Sequence, residues 1–585
     1  THSTEPLRYQ ADHENERRWL TWDLLCGRRN GLSSRLREIG IGEAELAWFE
    51  ENPCPPDVVG VNHYLSSERF LDHRLEHYPE RLHGGNGKHR YADELAARVL
   101  GRGPDGPAKL LLEAWRRYRL PLAVTEVHNG CTREEQLRWF DEVWQAAEAA
   151  RRRGADMRAV TVWSLLGTFG WADLLIGGAR DYEPGLFDVR APQPRPTALA
   201  HMARRFARGK PFDHAAADGV GWWRRPERLW YPPVGAVARA PVRRTRPLLV
   251  TGATGTLGSA FARICDERGL KTVVTTRDRL DAADAHSVEA ALRTIEPWAI
   301  VNAAGYVDVD GAERELPKCY RENTLAAETL SRAAAGLGIP LVTFSTDLVF
   351  DGRKPTPYEE EDGCRPLNVY GASKLAAERV VLNAADRALV VRTSAFFGPW
   401  DEHNFVTCAL RALATGRSFA AAADLVVSPT YVPDLVHATL DLLIDGERGI
   451  WHLSNASAVT WLELAALAAE AAEMDASGLV SATAAEVGWT APRPAQSALA
   501  SSRAWIMAPL EDALVRYVGA ASYEKLRPGK TERREMSEHY FEDELEERDD
   551  VVDTPTDVGE EGDSPREGEP WAKASSGDAD DVTSD

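Results

Sequence analysis

The chain has 585 residues, of which 44% are hydrophobic, and a formal net charge of −21. This length exceeds what one hydrophobic core supports, so two domains with additional segments are expected. The sequence contains no apolar run of about 18 residues that would span a membrane. It also has no basic stripe with interleaved aromatic residues, the pattern that would indicate nucleic-acid binding.

The cysteines and histidines bear on the cellular compartment and on metal binding. The seven cysteines are scattered and form no CxxC pair, which favours reduced thiols in a cytoplasmic protein. His63, His128, His403 and His452 lack the spacing of metal ligands, so no metal is predicted. No signal peptide is visible, and a start at Thr1 instead of methionine suggests a processed or incomplete N-terminus.

Residues 1–203 alternate helical patterns with short apolar runs, such as VVGVNHY (58–64) and LPLAVTEV (120–127). This alternation predicts an α/β domain. Residues 204–246 are rich in arginine and proline and are predicted to form an interdomain linker. Residues 247–520 start again with the strand PLLVTGA and continue in a β-α-β pattern, which predicts a second α/β domain.

The last predicted segment, residues 521–585, is a disordered acidic tail. Residues 535–585 alone carry 20 acidic and three basic side chains. Most of the net charge therefore lies in this tail, and the preceding chain is nearly neutral. A segment so charged and so poor in large apolar residues cannot bury enough surface to fold.

The second domain opens with a glycine-rich loop between a strand and an amphipathic helix, in TGATGTLGSAFARICDERG. Gly252 permits a tight turn, Gly255 lets the backbone approach a pyrophosphate, and Gly258 lets the helix pack on the strand. The N-terminus of the helix then favours the phosphate charge. The residues predicted to bind a dinucleotide here are Gly252, Thr254, Gly255, Thr256, Leu257 and Gly258.

The end of the next strand, KTVVTTRDR, bears on the choice of cofactor. An acidic residue in this place favours the free ribose of NADH, whereas Arg277 could pair with the 2′-phosphate of NADPH. We therefore predict NADPH, with NADH as the alternative and Asp281 as a further cofactor contact. In AIVNAAGYVDV, the small side chains of Ala303, Ala304 and Gly305 leave room for a flat cofactor.

The segment YGASKLAAE carries the strongest chemical signal, since it places Tyr370 and Lys374 on one helical face. A nearby ammonium is expected to lower the phenol pKa from about 10. Tyr370 would then donate its proton to a carbonyl oxygen as hydride arrives at the carbon. Upstream, the strand LVTFSTDLVF ends in Ser345, Thr346 and Asp347, where a hydroxyl can orient that carbonyl.

Residues 247–520 resemble the extended short-chain dehydrogenases/reductases, and within them the dTDP-4-dehydrorhamnose reductases. The resemblance rests on TGATGTLG, VNAAGYVDVDGAE, STDLVFDG, PLNVYGASKLAAE, VVRTSAFFGP, SPTYVPDLV and PRPAQSAL. It implies a Rossmann-type, doubly wound parallel sheet with a small substrate subdomain. It also implies NADPH-dependent reduction of the 4-keto group of a dTDP-6-deoxyhexulose.

The same resemblance assigns roles to individual side chains. It implies that Tyr370 is the catalytic proton donor and that Lys374 supports it and holds the nicotinamide ribose. It implies that Thr346 orients the keto oxygen, with Ser345 and Asp347 near the sugar.

The chain departs from the family pattern at three positions. Leu348 stands where the family usually has tyrosine, Ala395 where it has an aromatic residue, and Gly311 where it commonly has lysine. Two of these positions lie where a sugar would be held, so the reaction type is better predicted than the sugar. The STD triplet is not followed by glutamate, which speaks against the related sugar-nucleotide 4,6-dehydratases.

Residues 1–203 resemble the C-terminal part of family 1 β-glycosidases, in VVGVNHY, LAVTEVHNG and WSLLGTFGW. This implies a partial (β/α)8 barrel in which Tyr64, Glu126 and Trp163 face a vestigial sugar site, with Glu126 at the nucleophile position. Retaining glycosidases need a second carboxylate about 5 Å away, and the strand that carries it in the family is missing here. Gly170 replaces the glutamate that grips the sugar.

Three hypotheses follow from the sequence. The leading one is an NADPH-dependent reductase of a nucleotide-activated keto sugar. The alternatives are β-glycosidase activity of the first domain, or a non-catalytic, sugar-nucleotide-binding or regulatory protein. The predicted partner is a nucleotide-sugar substrate, with neither nucleic acid nor membrane, and self-association into a homo-oligomer remains open.

Overall fold

The computed structural model describes residues 1–29, 31–170, 182–239 and 245–520. No helix among these residues is long and apolar enough to cross a membrane. The seven cysteines all lie in the described ranges, and none of them forms a disulfide. The predicted acidic tail, residues 521–585, lies outside the described residues.

The first region combines eight helices with short strands. Helices α1–α8 are Arg8–Arg17, Leu20–Leu25, Ser33–Glu38, Glu43–Glu51, Ala96–Val99, Pro107–Tyr118, Arg133–Arg152 and Ala198–Phe206. Strands β1–β11 are His2–Ser3, Val59–Asn62, Arg69–Asp72, His83–Gly85, Arg90–Leu95, Leu122–Val127, Met157–Val162, Thr168–Phe169, Tyr182–Glu183, Phe187–Asp188 and Arg195–Pro196.

A parallel sheet of three strands, in the order β2-β6-β7, forms the centre of this region. Its inward-facing residues, among them Val59, Leu122 and Val124, are buried, as expected for parallel strands covered by helices. Helix α6 precedes β6, and α7 connects β6 to β7. This is the strand–helix alternation predicted for the region. A second, four-stranded sheet in the order β1-β3-β5-β4 was not predicted.

The predicted linker, residues 204–246, is packed over much of its described length instead of running free. The Trp223 side chain is 1% exposed, and its indole N–H donates to Glu142 Oε2 on α7 at 2.7 Å. Arg228 is also buried and donates to the carbonyls of Ala97 and Gly101, each at 2.7 Å. Composition alone misled the prediction, because arginine stems and tryptophan rings bury well when their polar ends find acceptors.

The second region holds helices and strands in regular alternation. Helices α9–α19 are Thr256–Glu267, Ala285–Ile295, Val309–Ala312, Leu316–Tyr320, Ala326–Leu337, Val369–Ala384, Phe405–Ala414, Val432–Asp445, Trp461–Ala471, Ala484–Val487 and Leu510–Ala520. Strands β12–β23 are Leu248–Thr251, Thr272–Thr275, Ala299–Asn302, Leu341–Thr346, Ala388–Thr393, Phe396–Phe397, Phe419–Ala422, Val426–Val427, Thr430–Tyr431, Gly449–His452, Val459–Thr460 and Leu479–Ala482.

Six of these strands form one parallel sheet in the order β13-β12-β14-β15-β16-β21. From β12, the chain adds β13 on one side of the sheet and then β14, β15, β16 and β21 in turn on the other side. This is the doubly wound, Rossmann-type arrangement. The Rossmann-type parallel sheet predicted for this region is therefore confirmed. The carboxyl ends of β12, β14 and β15 meet at one edge of the sheet, where ligands bind in such folds.

The two regions share one core and a lattice of buried ion pairs. Arg268, at the end of α9, contacts Glu134 Oε2 of α7 at 2.5 Å and Asp441 Oδ1 of α16 at 2.7 Å. Arg133 Nε lies 2.8 Å from Asp445 Oδ1. These contacts join the start of α7 to the two helices that cover one face of the six-stranded sheet.

We expect Glu134→Gln to lower the free energy of unfolding by roughly 3 kcal/mol, because it leaves the buried Arg268 guanidinium short of one counter-charge. Arg151→Gln is the matched control on the same helix, since Arg151 is 61% exposed in its pair with Glu148. That change should cost less than about 0.5 kcal/mol. Urea denaturation of both variants measures the difference, and equal midpoints for Glu134→Gln and the unsubstituted chain would contradict the expectation.

Candidate active site

The glycine-rich loop has the geometry that close approach of a phosphate requires. Gly252 has a φ of +84°, and a Cβ there would lie 2.8 Å from the Ala303 carbonyl oxygen. A Cβ on Gly258 would lie 2.0 Å from the Gly252 carbonyl oxygen, so only glycine lets α9 pack this tightly. Gly255, by contrast, faces open space apart from one contact at 3.5 Å, which leaves its backbone accessible to a ligand.

The other predicted loop residues divide into exposed and packed positions. Thr254 is exposed at the tip of the loop, next to the first turn of α9. The Thr256 hydroxyl donates to Asp401 Oδ2 at 3.0 Å. Leu257 is buried in the core, so its side chain is a packing contact and only its backbone can face a ligand.

Arg277 lies just beyond the end of β13, as predicted, and Asp281 follows in the next loop. Each is already paired with a neighbouring side chain. Arg277, 63% exposed, contacts Glu322 Oε1 at 2.9 Å. Asp281 is paired with Arg321. Glu322 and Arg321 both belong to a π-helical turn, Arg321–Leu325. Recognition of the 2′-phosphate by Arg277 therefore stays a prediction.

The small residues after β14, Ala303, Ala304 and Gly305, pack against Asn323. A Cβ on Gly305 would lie 2.8 Å from Asn323 Oδ1 and 3.3 Å from Lys374 Nζ. Asn323 accepts the Tyr306 N–H at 2.9 Å and donates to Ser373 Oγ at 3.0 Å. The sequence prediction missed Asn323, which is buried within a π-helical turn, a feature that often marks functional sites.

The fold brings the predicted catalytic residues together. Thr346 ends β15, and Tyr370 and Lys374 lie one turn apart on α14. The Thr346 hydroxyl acts to lower the pKa of the Tyr370 phenol. Lys374 Nζ lies 5.8 Å from the centre of the Tyr370 ring and donates to the Phe344 carbonyl at 3.3 Å. Helix α14 starts where it does because the Asn368 side chain caps it, accepting the Gly371 N–H at 2.7 Å.

The electrostatics of the pair differ from the sequence expectation. Burial, with the Asp347 carboxyl and Cys319 adding to it, raises the pKa of Tyr370 well above its usual value. Burial also lowers the pKa of Lys374 to about 8, while Cys319 and Glu378 act in the opposite direction. The phenol is thus protonated in this structure, which is the form a proton donor needs.

The predicted substrate residues lie in the same place but differ in their surroundings. Ser345 is buried, and its hydroxyl has no hydrogen-bond partner among the described residues. The Asp347 carboxylate is 5% exposed and accepts hydrogen bonds from the hydroxyls of Thr346, Ser394 and Ser497. Ser497, in the late PRPAQSAL segment, was not predicted as a site residue.

The structure accounts for two of the three departures from the family pattern, at Gly311 and Ala395. A Cβ on Gly311 would lie 2.2 Å from Asp308 Oδ2 and 2.6 Å from the Tyr306 hydroxyl, so a lysine would displace these groups. Ala395 has a φ of +40°, a backbone conformation that larger residues adopt at a cost. Nothing in the structure explains Leu348 beyond the bond from its N–H to Thr346 Oγ1 at 3.2 Å.

The N-terminal candidates also come together, at the carboxyl ends of β2 and β6. The Tyr64 hydroxyl donates to Glu126 Oε2. His128, two residues further on, contacts Glu183 Oε2 at 3.1 Å. The Trp163 N–H donates to the Val127 carbonyl at 3.0 Å, which places this residue beside the same strand end.

A group of possible metal ligands lies outside the predicted residues. His2, Glu68 and Asp105 each offer one ligand atom, and these atoms lie within 4.8 Å of one another. Asp105 is already paired with Arg102 and Lys109. These two positive charges oppose a further cation at the cluster.

Comparison with known proteins bears on residues 246–510, which match a family model described as the RmlD substrate binding domain. A dTDP-4-dehydrorhamnose reductase of Mycobacterium tuberculosis is 36% identical over 273 residues, which are 46% of this chain and 88% of that protein. The chain belongs to the dTDP-4-dehydrorhamnose reductase family. The family predicted from the sequence motifs is therefore confirmed for this region.

The same region is also similar to a second curated protein and to a solved structure. A Streptomyces antibioticus protein described as a probable dTDP-4,6-dihydroxy-2-methyloxan-3-one 4-ketoreductase is 34% identical over 272 residues, covering 45% of this chain and 90% of that protein. A solved dTDP-4-dehydrorhamnose reductase of Bacillus anthracis, in complex with NADP, is 30% identical with a TM-score of 0.44. The match covers 46% of this chain and 98% of that structure.

The half-buried ammonium of Lys374 predicts an unusual pH dependence of stability in this reductase. Its pKa is about 8 in the folded chain against 10.5 ordinarily, so the unfolded chain binds the proton more tightly. The penalty is complete below about pH 8 and fades as pH rises toward about 10.5. Lys374→Met should therefore raise the free energy of unfolding at neutral pH by roughly 1–3 kcal/mol and abolish the rise between these pH values.

Denaturant titrations at several pH values measure this effect. Lys109→Met is the control, because Lys109 is 66% exposed and its removal should change stability by no more than about 0.5 kcal/mol. A Lys374→Met chain that is less stable at neutral pH, with an unchanged pH slope, would show that the ammonium is not penalised by burial.

Proposed function

We propose that residues 247–520 catalyse the NADPH-dependent reduction of the 4-keto group of a dTDP-6-deoxyhexulose. One observation carries this proposal: the fold gathers Thr346, Tyr370 and Lys374 at the same edge of the sheet as the glycine-rich loop. Membership of the dTDP-4-dehydrorhamnose reductase family supports the substrate class. The intact catalytic set favours an enzyme over a non-catalytic binding or regulatory protein.

The residues around the loop fit a dinucleotide. Gly252 and Gly258 pack where a Cβ would clash with backbone, and Gly255 stays open, as a phosphate cradle at a helix N-terminus requires. Gly305 keeps the wall beside Lys374 free of side chain. We propose Arg277, 63% exposed and in contact with Glu322, as the partner of a 2′-phosphate, a role that would favour NADPH over NADH. When bound, the cofactor supplies the hydride.

The side chains of the chain itself handle the proton and the sugar oxygen. Tyr370, kept protonated by burial, gives its proton to the keto oxygen as the carbonyl carbon is reduced. Lys374, which donates to the Phe344 carbonyl, would hold the ribose of the cofactor. Thr346 borders the place of the keto oxygen and keeps the phenol in position.

The exact sugar is left open by Leu348, Ala395 and Gly311, which alter the surface expected to contact it. The Streptomyces antibioticus relative is named for a different dTDP-linked keto sugar. The family therefore includes proteins named for more than one such substrate. We assign the substrate class as a dTDP-linked 4-keto-6-deoxyhexose and place the reaction in the cytoplasm, with self-association untested.

Tyr370→Phe tests the reductase directly. We expect loss of at least about 100-fold in kcat with dTDP-4-dehydro-6-deoxy-L-mannose, while the affinity for NADPH changes little, because only the phenol proton is removed. NADPH oxidation followed by absorbance measures turnover, and quenching of tryptophan fluorescence measures binding. Tyr358→Phe is the control, since Tyr358 is buried and stacked on Phe350, and its hydroxyl donates to Asp351 at 3.2 Å. Full activity of Tyr370→Phe would refute the role of the phenol.

We further propose that residues 1–203 are a partial barrel of the family 1 β-glycosidase type that retains a weak sugar site. The hydrogen bond from Tyr64 to Glu126 at neighbouring strand ends favours this second function. Glu126 lacks the partner acid that hydrolysis needs, and Gly170 replaces the gripping glutamate. Trp171, the other aromatic residue of the motif, lies outside the described residues.

The sugar site predicts binding without cleavage. Glucose or cellobiose should change the tryptophan fluorescence of the chain with a Kd in the millimolar range, about −4 kcal/mol, and Glu126→Gln should abolish the change. Nitrophenyl β-glucoside should not be hydrolysed above background. Glu148→Gln, on the outer face of α7, serves as the control. Hydrolysis that depends on Glu126 would instead establish a glycosidase, and no saturable binding would remove the sugar site.

A further inference from the structure

Four charged side chains meet just beyond the end of β13. Arg277 Nη2 lies 2.9 Å from Glu322 Oε1, and Arg321 is paired with Asp281. Arg277 and Asp281 follow β13, whereas Arg321 and Glu322 open the π-helical turn Arg321–Leu325. Each arginine therefore contacts an acid of the other segment, and the two ion pairs join the segments.

Both arginines act on the Asp281 carboxylate and both are open to solvent. Burial acts to raise the pKa of this carboxyl, whereas the hydrogen bond from Arg321 and the charges of Arg321 and Arg277 hold it below its usual value. The side chains of Arg321 and Arg277 are 43% and 63% exposed. A ligand can therefore reach both guanidinium groups from solvent.

The end of β13 lies beside the glycine-rich loop. The Thr275 carbonyl, at this strand end, accepts the N–H groups of Gly252 and Ala253, each at 3.1 Å. In Rossmann-type folds, the side chains that follow this strand contact the 2′ position of the cofactor ribose. The four charged side chains are therefore next to the place where a dinucleotide carries, or lacks, a 2′-phosphate.

The π-helical turn brings Arg321 to this place. Two residues after Arg321, the Asn323 side chain accepts the Tyr306 N–H at 2.9 Å, so the turn is held against the segment that follows β14. Arg321, at the start of the turn, reaches across to Asp281 in the segment that follows β13. Such turns often occur at functional sites, and this one supplies a side chain to each of two neighbouring strand ends.

The arginines of this cluster suit a phosphate, and its acid suits a free ribose. A phosphate monoester carries a charge of about −1.5 to −2 at pH 7, and guanidinium groups bind it through paired N–H donors. An ionised carboxylate only accepts hydrogen bonds, so Asp281 can accept one from a 2′-hydroxyl but repels a 2′-phosphate. Asp281 and a 2′-phosphate therefore compete for the Arg321 guanidinium.

We propose that Arg321 is a second specificity-determining residue for the cofactor, which binds the 2′-phosphate of NADPH together with Arg277. The phosphate replaces the bond between Arg321 and Asp281. With NADH, the Asp281 carboxylate accepts the ribose 2′-hydroxyl instead. The inference rests on the proposed reductase function, and it assigns opposite effects on cofactor choice to two residues that are ion-pair partners.

The dissociation constants of NADPH and NADH, measured by quenching of tryptophan fluorescence, test this exchange. Arg321→Gln should weaken NADPH binding by about 10- to 100-fold, the effect of losing a hydrogen bond between charged groups, and should not weaken NADH binding. Asp281→Asn should strengthen NADPH binding by about two- to fivefold and weaken NADH binding by a similar factor. The asparagine keeps an oxygen for the Ala283 N–H, which Asp281 Oδ1 accepts at 3.0 Å.

Arg332→Gln is the matched control, because it removes the same charge from α13, which continues from the π-helical turn. Arg332 is 73% exposed in its pair with Glu328, and its loss should leave the preference for NADPH within about twofold. Arg321→Lys repeats the test with the charge kept and the paired donors lost. It should lose less NADPH affinity than Arg321→Gln.

A purely structural role of the pair between Arg321 and Asp281 would weaken both cofactors alike in both variants, and that result would overturn the proposal. Unchanged NADPH binding by Arg321→Gln, or an unsubstituted chain that prefers NADH or binds neither cofactor, would also overturn it. These titrations contain no keto sugar. A chain that binds both cofactors but reduces no keto sugar would therefore refute the reductase function alone, and the role of Arg321 would still be decided by the two constants.

Discussion

The buried contacts between Glu134 and Arg268, and between Arg133 and Asp445, hold the chain together. They join the first turn of α7 to the end of α9 and to α16, the helices that cover one face of the Rossmann sheet. Such pairs add little net stability, because both partners lose their hydration. Their value is geometric, since a displaced helix would leave a charge unpaired in the interior. The cofactor helix is thereby held at one end by the first region and at the other by its glycine loop.

The same interface satisfies the polar groups at the end of the cofactor helix. Arg138 of α7 donates to the carbonyls of Arg268 and Gly269, at 3.3 and 3.0 Å. A cation at this end of a helix also complements its dipole. The partial positive charge at the N-terminus of α9 would attract a phosphate. The partial negative charge at the other end of the same helix is balanced by Arg138 of α7.

Local patterns in the sequence predicted the parts of the site that are local in the chain. The strand-loop-helix around Gly252 and the four-residue spacing of Tyr370 and Lys374 are each specified within a few residues. Asn323 and Ser497 were missed, because Asn323 meets Ser373 50 residues away and Ser497 meets Asp347 150 residues away, and no short motif encodes such contacts. The segment around Trp223 was misjudged for a similar reason. Its prolines and arginines are typical of linkers, and only the fold shows that Glu142 of α7 accepts from Trp223 and that the Ala97 and Gly101 carbonyls accept from Arg228.

The order of synthesis gives the buried ion pairs a further consequence. Arg133 and Glu134 leave the ribosome long before their ion-pair partners Arg268 and Asp445. Until then, these charged side chains of the first region are unpaired. An exposed surface that carries charged side chains stays hydrated, whereas an equally large apolar surface would be prone to aggregate. Ionic side chains at this junction would thus keep the unfinished surface hydrated during translation, before the helices α9 and α16 that cover it are made.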